Sequence, residues 1–95
     1  MHTIHKFTLG FDDVQVLSLP PFAQPLSVQM QHGSPQLWAL VNTAEPVTQY
    51  TVLCYGTGHE VQQLPRGYEF LGTVQYGSLV FHYFGFFSSF AAQPQ

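Results

Sequence analysis

The residues of this chain that could do chemistry are few and scattered. Five histidines stand at positions 2, 5, 32, 59 and 82, the single cysteine at 54, and the only two cations are Lys6 and Arg66. His2 and His5 are separated by three, an odd spacing that puts side chains on opposite faces of an extended strand, so they cannot chelate one ion without a bend. His59 precedes Glu60 without the second, helically spaced histidine of a zinc hydrolase, and no metal is expected. Serine, histidine and carboxylate all occur, but none sits in a setting such as a glycine-flanked serine between strand and helix. Cys54 falls in phase with Tyr50 and Val52 on a period-two pattern, the place of a buried, inert thiol. Asp12 and Asp13 are adjacent, so their carboxylates diverge into a solvated loop. The expectation is a protein that is not an enzyme and carries no cofactor.

Two segments point instead to ligand binding. In Gly56-Thr57-Gly58-His59, two glycines around a small hydroxyl residue let successive backbone N–H groups converge, and such a nest can hold a phosphate without many lysines. The same residues also make an ordinary turn, and they lack the Gly-Lys-Ser/Thr ending of a P-loop. Downstream, Arg66-Gly67-Tyr68 sets a guanidinium, which offers a bidentate phosphate fork, beside an aromatic ring on which a base can stack. Its plainer reading is a solubilising loop arginine. Gly58, His59, Arg66 and Tyr68 are the candidate ligand-binding residues.

Composition narrows the partners. A chain of 95 residues makes one compact domain. Its net charge of −3, with two basic residues, excludes a grip along the backbone of a nucleic-acid polymer. Charged residues are 7% and hydrophobic residues 45%, where about 25% charged is usual, so repulsion does little to keep copies apart and a homo-oligomer is expected. One cysteine cannot build an intrachain disulfide framework. The most apolar stretch, residues 79–92, is broken by His82, Ser88 and Ser89 and falls short of the ~20 residues of a membrane helix, so no membrane partner is expected. The first 13 residues show no charged, apolar and small-residue succession of a secretory signal, which implies a cytoplasmic protein.

The elements that must position these residues are strands. β-branched and aromatic residues group into short runs at 3–9, 14–19, 26–32, 36–42, 47–55, 68–75 and 79–84, separated by Gly, Pro, Asn and Asp. Leu26, Val28 and Met30 alternate with Ser27, Gln29 and Gln31, a half-buried strand. Leu37-Trp38-Ala39-Leu40-Val41 is apolar on both faces and predicts a central strand covered on each side. Gly33-Ser34 and Tyr76-Gly77-Ser78 signal hairpins, and residues 60–67 a connection across the end of a sheet. The fold class is all-β: a small antiparallel β-sandwich or partly open barrel of about seven strands, with Trp38, Leu40, Val52, Val74 and Val80 in the core. Residues 1–84 form this domain, and residues 85–95 a phenylalanine-rich tail. Each of Phe86, Phe87 and Phe90 gains ~1.5–3 kcal/mol from burial, which favours docking on another copy.

The order of motifs resembles a family of small domains of unknown function from phages and prophage-bearing bacteria. It rests on Ser27-Val28-Gln29-Met30-Gln31, Leu37-Trp38-Ala39-Leu40-Val41, Gly56-Thr57-Gly58-His59, Leu71-Gly72-Thr73-Val74-Gln75 and Leu79-Val80-Phe81-His82-Tyr83-Phe84. The resemblance implies a compact all-β phage protein and supplies no catalytic residues. By analogy of class such a protein resembles the phage sponge proteins, which sequester nucleotide second messengers of bacterial immunity. The function expected is therefore binding, without cleavage, of a nucleotide-derived signal of the cyclic dinucleotide or cyclic ADP-ribose type. The alternative is a structural or interaction protein, either a virion accessory domain or a protein-binding inhibitor of a host factor.

Overall fold

A computed structural model describes residues 1–87, among which there is no helix. Seven strands run in the order β1 (His2–Thr8), β2 (Val14–Leu19), β3 (Gln24–Gln31), β4 (Ser34–Asn42), β5 (Thr48–Gly56), β6 (Glu69–Tyr76) and β7 (Leu79–Phe87). They form a three-stranded sheet, β1-β4-β3, and a four-stranded sheet, β2-β5-β7-β6. Every hydrogen-bonded pair is antiparallel. The fold is the small all-β sandwich that the alternation predicts.

Both hairpins follow from turn chemistry. Gln31 pairs with Ser34, which leaves His32 and Gly33 as the two loop residues, both at positive φ (54° and 82°). That is the type I′ geometry whose twist matches the strands, with the turn one residue earlier than the Gly33-Ser34 expected from sequence. In the second hairpin Tyr76 pairs with Leu79 around Gly77-Ser78, and Gly77 alone has positive φ.

The core lies between the inner faces. Leu37, Ala39 and Val41 of β4 are at most 1% exposed, as are Leu19, Tyr50, Val52 and Tyr83 from the other sheet. Val52 and Val74 are buried as expected, but Trp38, Leu40 and Val80 are only half-buried. The correction has a simple cause. Trp38 and Leu40 alternate with the buried residues of β4 and face outward, and β4 is central in its sheet but covered on one side only. Val80 likewise lies on the outer face of β7.

Two glycines let the layers close. A bulge between Phe70 and Gly72 puts both Leu71 and Gly72 on the inner side, and a Cβ on Gly72 would come within 3.1 Å of the Val28 backbone nitrogen in β3. At Gly85 a Cβ would stand 2.5–2.6 Å from Cε2 and Cζ of Tyr50. Strand β7 also runs three residues past its expected end at Phe84, so Gly85, Phe86 and Phe87 of the expected tail are strand residues. Phe87 packs edge-on against Tyr50 of its own chain, with ring centroids 4.7 Å apart, whereas Phe90 lies outside the described residues.

Gly85→Ala is expected to cost about 1–3 kcal/mol, because the Tyr50 ring has nowhere to retreat. Gly10→Ala, where a Cβ meets nothing nearer than 3.8 Å, should stay within about 0.5 kcal/mol of wild type. Urea unfolding midpoints of the two variants check the difference, and equal midpoints would remove the steric account.

Candidate functional site

The Gly56-Thr57-Gly58-His59 segment ends β5 as a tight turn. The His59 N–H donates to the Gly56 carbonyl (3.1 Å), and Gly58 supplies the positive φ (89°) that the third position of such a turn requires. A Cβ on Gly56 would stand 2.9 Å from Cε1 of the His59 ring, a contact that this exposed side chain can relieve by turning away. The Thr57 N–H donates to the Val80 carbonyl (3.1 Å). Its hydroxyl lies 2.7 Å from Nε2 of His82, whose Nδ1 lies 2.9 Å from the Thr73 hydroxyl. The N–H groups of Thr57 and His59 are thus engaged by carbonyls, and both ring nitrogens of His82 by hydroxyls.

Arg66 and Tyr68 lie elsewhere. Pro65-Arg66-Gly67-Tyr68 is a second turn, closed by the Tyr68 N–H to the Pro65 carbonyl (3.2 Å), with Gly67 at φ 82°. Strands β5 and β6 both pair antiparallel with β7, so they run the same way and the connection between them travels the length of the sheet. Gly56 pairs with Phe81, whereas Arg66 lies beside Phe86. Those five residues of β7 separate Gly58 and His59 from Arg66 by about 17 Å at the usual strand rise. The four candidate residues are not brought to one place. Tyr68 packs on the outer face of the sheet against Phe84 (5.8 Å), which also receives Tyr55 (6.2 Å) and Phe70 (5.5 Å).

Arg66 borders an open cleft of about 870 Å³, lined also by Phe22, Gln24, Glu69, Phe86 and Phe87. Among the described residues Arg66 has no ion pair or hydrogen-bond partner. Glu69 is held in place by the Tyr50 hydroxyl, which donates to its Oε1 at 3.0 Å. The residue that sequence reasoning missed is Phe22. It is 91% exposed and has a φ of 64°, in a turn closed by the Ala23 N–H to the Pro20 carbonyl (3.2 Å). With proline second and positive φ third, this is a type II turn in which glycine is the usual third residue. Pro20-Pro21 announced the turn, but nothing in the sequence says that a phenylalanine takes its strained position.

The described residues contain no group of three or more His, Cys, Asp or Glu able to hold a metal ion. Cys54 is buried, and burial first, then the charges of Asp13 and Asp12, push its thiol above the ordinary value, while the neighbouring Tyr83 side chain acts the other way. Tyr83 is raised by burial and then by Cys54, and its hydroxyl donates to the Gly10 carbonyl at 2.8 Å. Tyr50 is raised by burial and then by the charge and hydrogen bond of Glu69. No helix of the described residues is long and apolar enough to cross a membrane.

These raised groups fix a sign. Above about pH 9 for the thiol and about pH 10 for the two phenols, their ordinary values, the unfolded chain releases protons that the folded chain keeps, so stability falls as pH rises. Each phenol contributes up to ~1.4 kcal/mol per pH unit there. The urea midpoint is expected to drop steeply on the alkaline side, and less steeply in Tyr50→Phe. An alkaline limb of unchanged slope in that variant would show that Tyr50 ionises as readily folded as unfolded.

No curated protein and no solved structure matches the chain. One family model does, over residues 1–89, and the chain belongs to that family, described as a domain of unknown function, DUF7352.

Proposed function

We propose that the protein binds a small nucleotide-derived ligand in the Arg66 cleft and does not cleave it. The observation that carries this reading is Phe22, a large apolar side chain held almost wholly in water on a left-handed residue at the rim of the cleft that Arg66 also lines. Such a conformation costs on the order of 1–3 kcal/mol and persists where the strained residue has work to do. An aromatic face for a base, a guanidinium without a partner among the described residues for phosphate, and a fixed carboxylate to accept from base or ribose are the parts a nucleotide needs. The cleft volume falls within the ~300–1,000 Å³ of ligand sites. One cation beside one carboxylate suits one or two phosphates and not a polymer.

The resemblance to phage and prophage domains supports a cytoplasmic sponge for a cyclic dinucleotide or a cyclic ADP-ribose isomer as the biological role. The second reading, an interaction protein, is favoured by a different observation: the outer face of the four-stranded sheet exposes Val14, Val16, Tyr68 and Phe70.

Calorimetric titration with a panel of cyclic dinucleotides and cyclic ADP-ribose isomers tests the first reading. One ligand is expected to bind and to be recovered intact after heat denaturation. Arg66→Ala should weaken it ten- to a hundredfold, about 1.5–3 kcal/mol, and Arg66→Lys should restore only part, since a point charge lacks the fork. Phe22→Gly should raise the unfolding midpoint, by relief of about 1 kcal/mol of strain, while it weakens binding. Turnover products would make the protein an enzyme, and no binding across the panel would leave the interaction protein.

A further inference from the structure

Strand β2 is an edge of the four-stranded sheet, and its pairing with β5 fixes which of its backbone groups are free. The Cys54 N–H donates to the Asp13 carbonyl (3.0 Å), and the register is Val14 to Leu53, Gln15 to Val52, through Leu19 to Thr48. In an antiparallel ladder hydrogen-bonded pairs alternate, so Gln15, Leu17 and Leu19 bond to β5, while the N–H and C=O groups of Val14, Val16 and Ser18 point away from the sheet. No described residue pairs with that edge. Val14 and Val16 are each 58% exposed and Ser18 is exposed.

The other edges are guarded. β3 lies against β6 where Gly72 meets Val28, and β1 carries Lys6 and two histidines. β2 has no charge, no proline and no bulge, the usual devices against edge pairing.

We propose that a second copy of this chain pairs with β2, antiparallel, about a two-fold axis through Val16. In that register Val16 faces Val16 of the other copy and Val14 faces Ser18, so every outward N–H between 14 and 18 meets a carbonyl. An isologous contact must be self-complementary in this way. The charges agree: Asp13 falls opposite Leu19 of the other copy and Asp12 opposite Pro20. The two acidic pairs stand about 20 Å apart, beyond the ~8–10 Å screening length. The two four-stranded sheets become one of eight strands, with the exposed valines of both copies side by side. This contact is independent of the Arg66 cleft.

Val16→Pro tests it with little cost to the monomer, because the missing N–H is one that β5 does not use. The wild-type chain is expected to sediment as a dimer at micromolar concentration. Val16→Pro should weaken dimerisation at least about tenfold (~1.4 kcal/mol) with an unchanged far-ultraviolet spectrum. Val16→Cys should form a disulfide-linked dimer on mild oxidation, since facing residues of a hydrogen-bonded pair stand ~5.5 Å apart, within disulfide reach. A monomeric wild type, or a dimer that Val16→Pro leaves intact and Val16→Cys does not cross-link, would overturn the proposal.

Discussion

The Tyr50 ring lies between the two sheets with none of its surface exposed, and the rest of the molecule is arranged around it. It occupies the space above Gly85 that any other residue would fill, takes the edge of Phe87, and ties its hydroxyl to Glu69. Each contact constrains a different strand. β7 must continue to Phe87 to bring a glycine and then a ring into register with β5, and β6 must begin with Glu69 opposite Gly85. The carboxylate in the cleft is therefore fixed by the packing of the core. A buried phenol needs a partner for its proton, and that need places an acceptor where a ligand can meet it.

The strands were legible because period-two alternation and glycine-bounded turns are local signals. Val14–Leu19 is the strand that the run at 14–19 predicts, and Tyr50, Val52 and Cys54 share one buried face as their spacing requires. What was not legible depends on distant parts of the chain. Leu37-Trp38-Ala39-Leu40-Val41 is apolar on both faces, and alternation cannot tell which face another sheet will cover. Gly85 reads as a strand end until Tyr50 is seen beneath it. The candidate residues looked close because Gly58 and Arg66 are eight apart in sequence. A connection between strands that run the same way carries its two ends to opposite ends of the sheet.

The Gly-Thr-Gly-His motif shows how one pattern serves two chemistries. A phosphate nest and a tight turn both need a glycine at positive φ and a small polar neighbour, and they differ in where the N–H groups point. Here Gly58 turns the chain, and Thr57 bonds to Val80 and His82. Gly58 and Thr57 thus have structural causes, whereas His59 contributes to the turn only through its backbone. Phe22 is the converse: the turn chemistry asks for glycine, the chain supplies phenylalanine, and at 91% exposure its ring gains little from the described residues to offset the strain.

The chain also holds more aromatic side chains than its interior can take. Two thin sheets enclose one inner layer, which Leu37, Tyr50, Val52 and Tyr83 fill at its centre, and with 7% charged residues the outside cannot be covered by charge. The surplus rings lie on the outer face around Phe84 and at the rim by Phe22. The two cations lie apart. Lys6 of β1 donates to Gln31 of β3 within the three-stranded sheet, and Arg66 stands at the cleft, so positive charge is present at the Phe22 rim. The uncharged strip along Val14 and Val16 offers apolar area and open backbone groups, which another strand satisfies and a small anion does not.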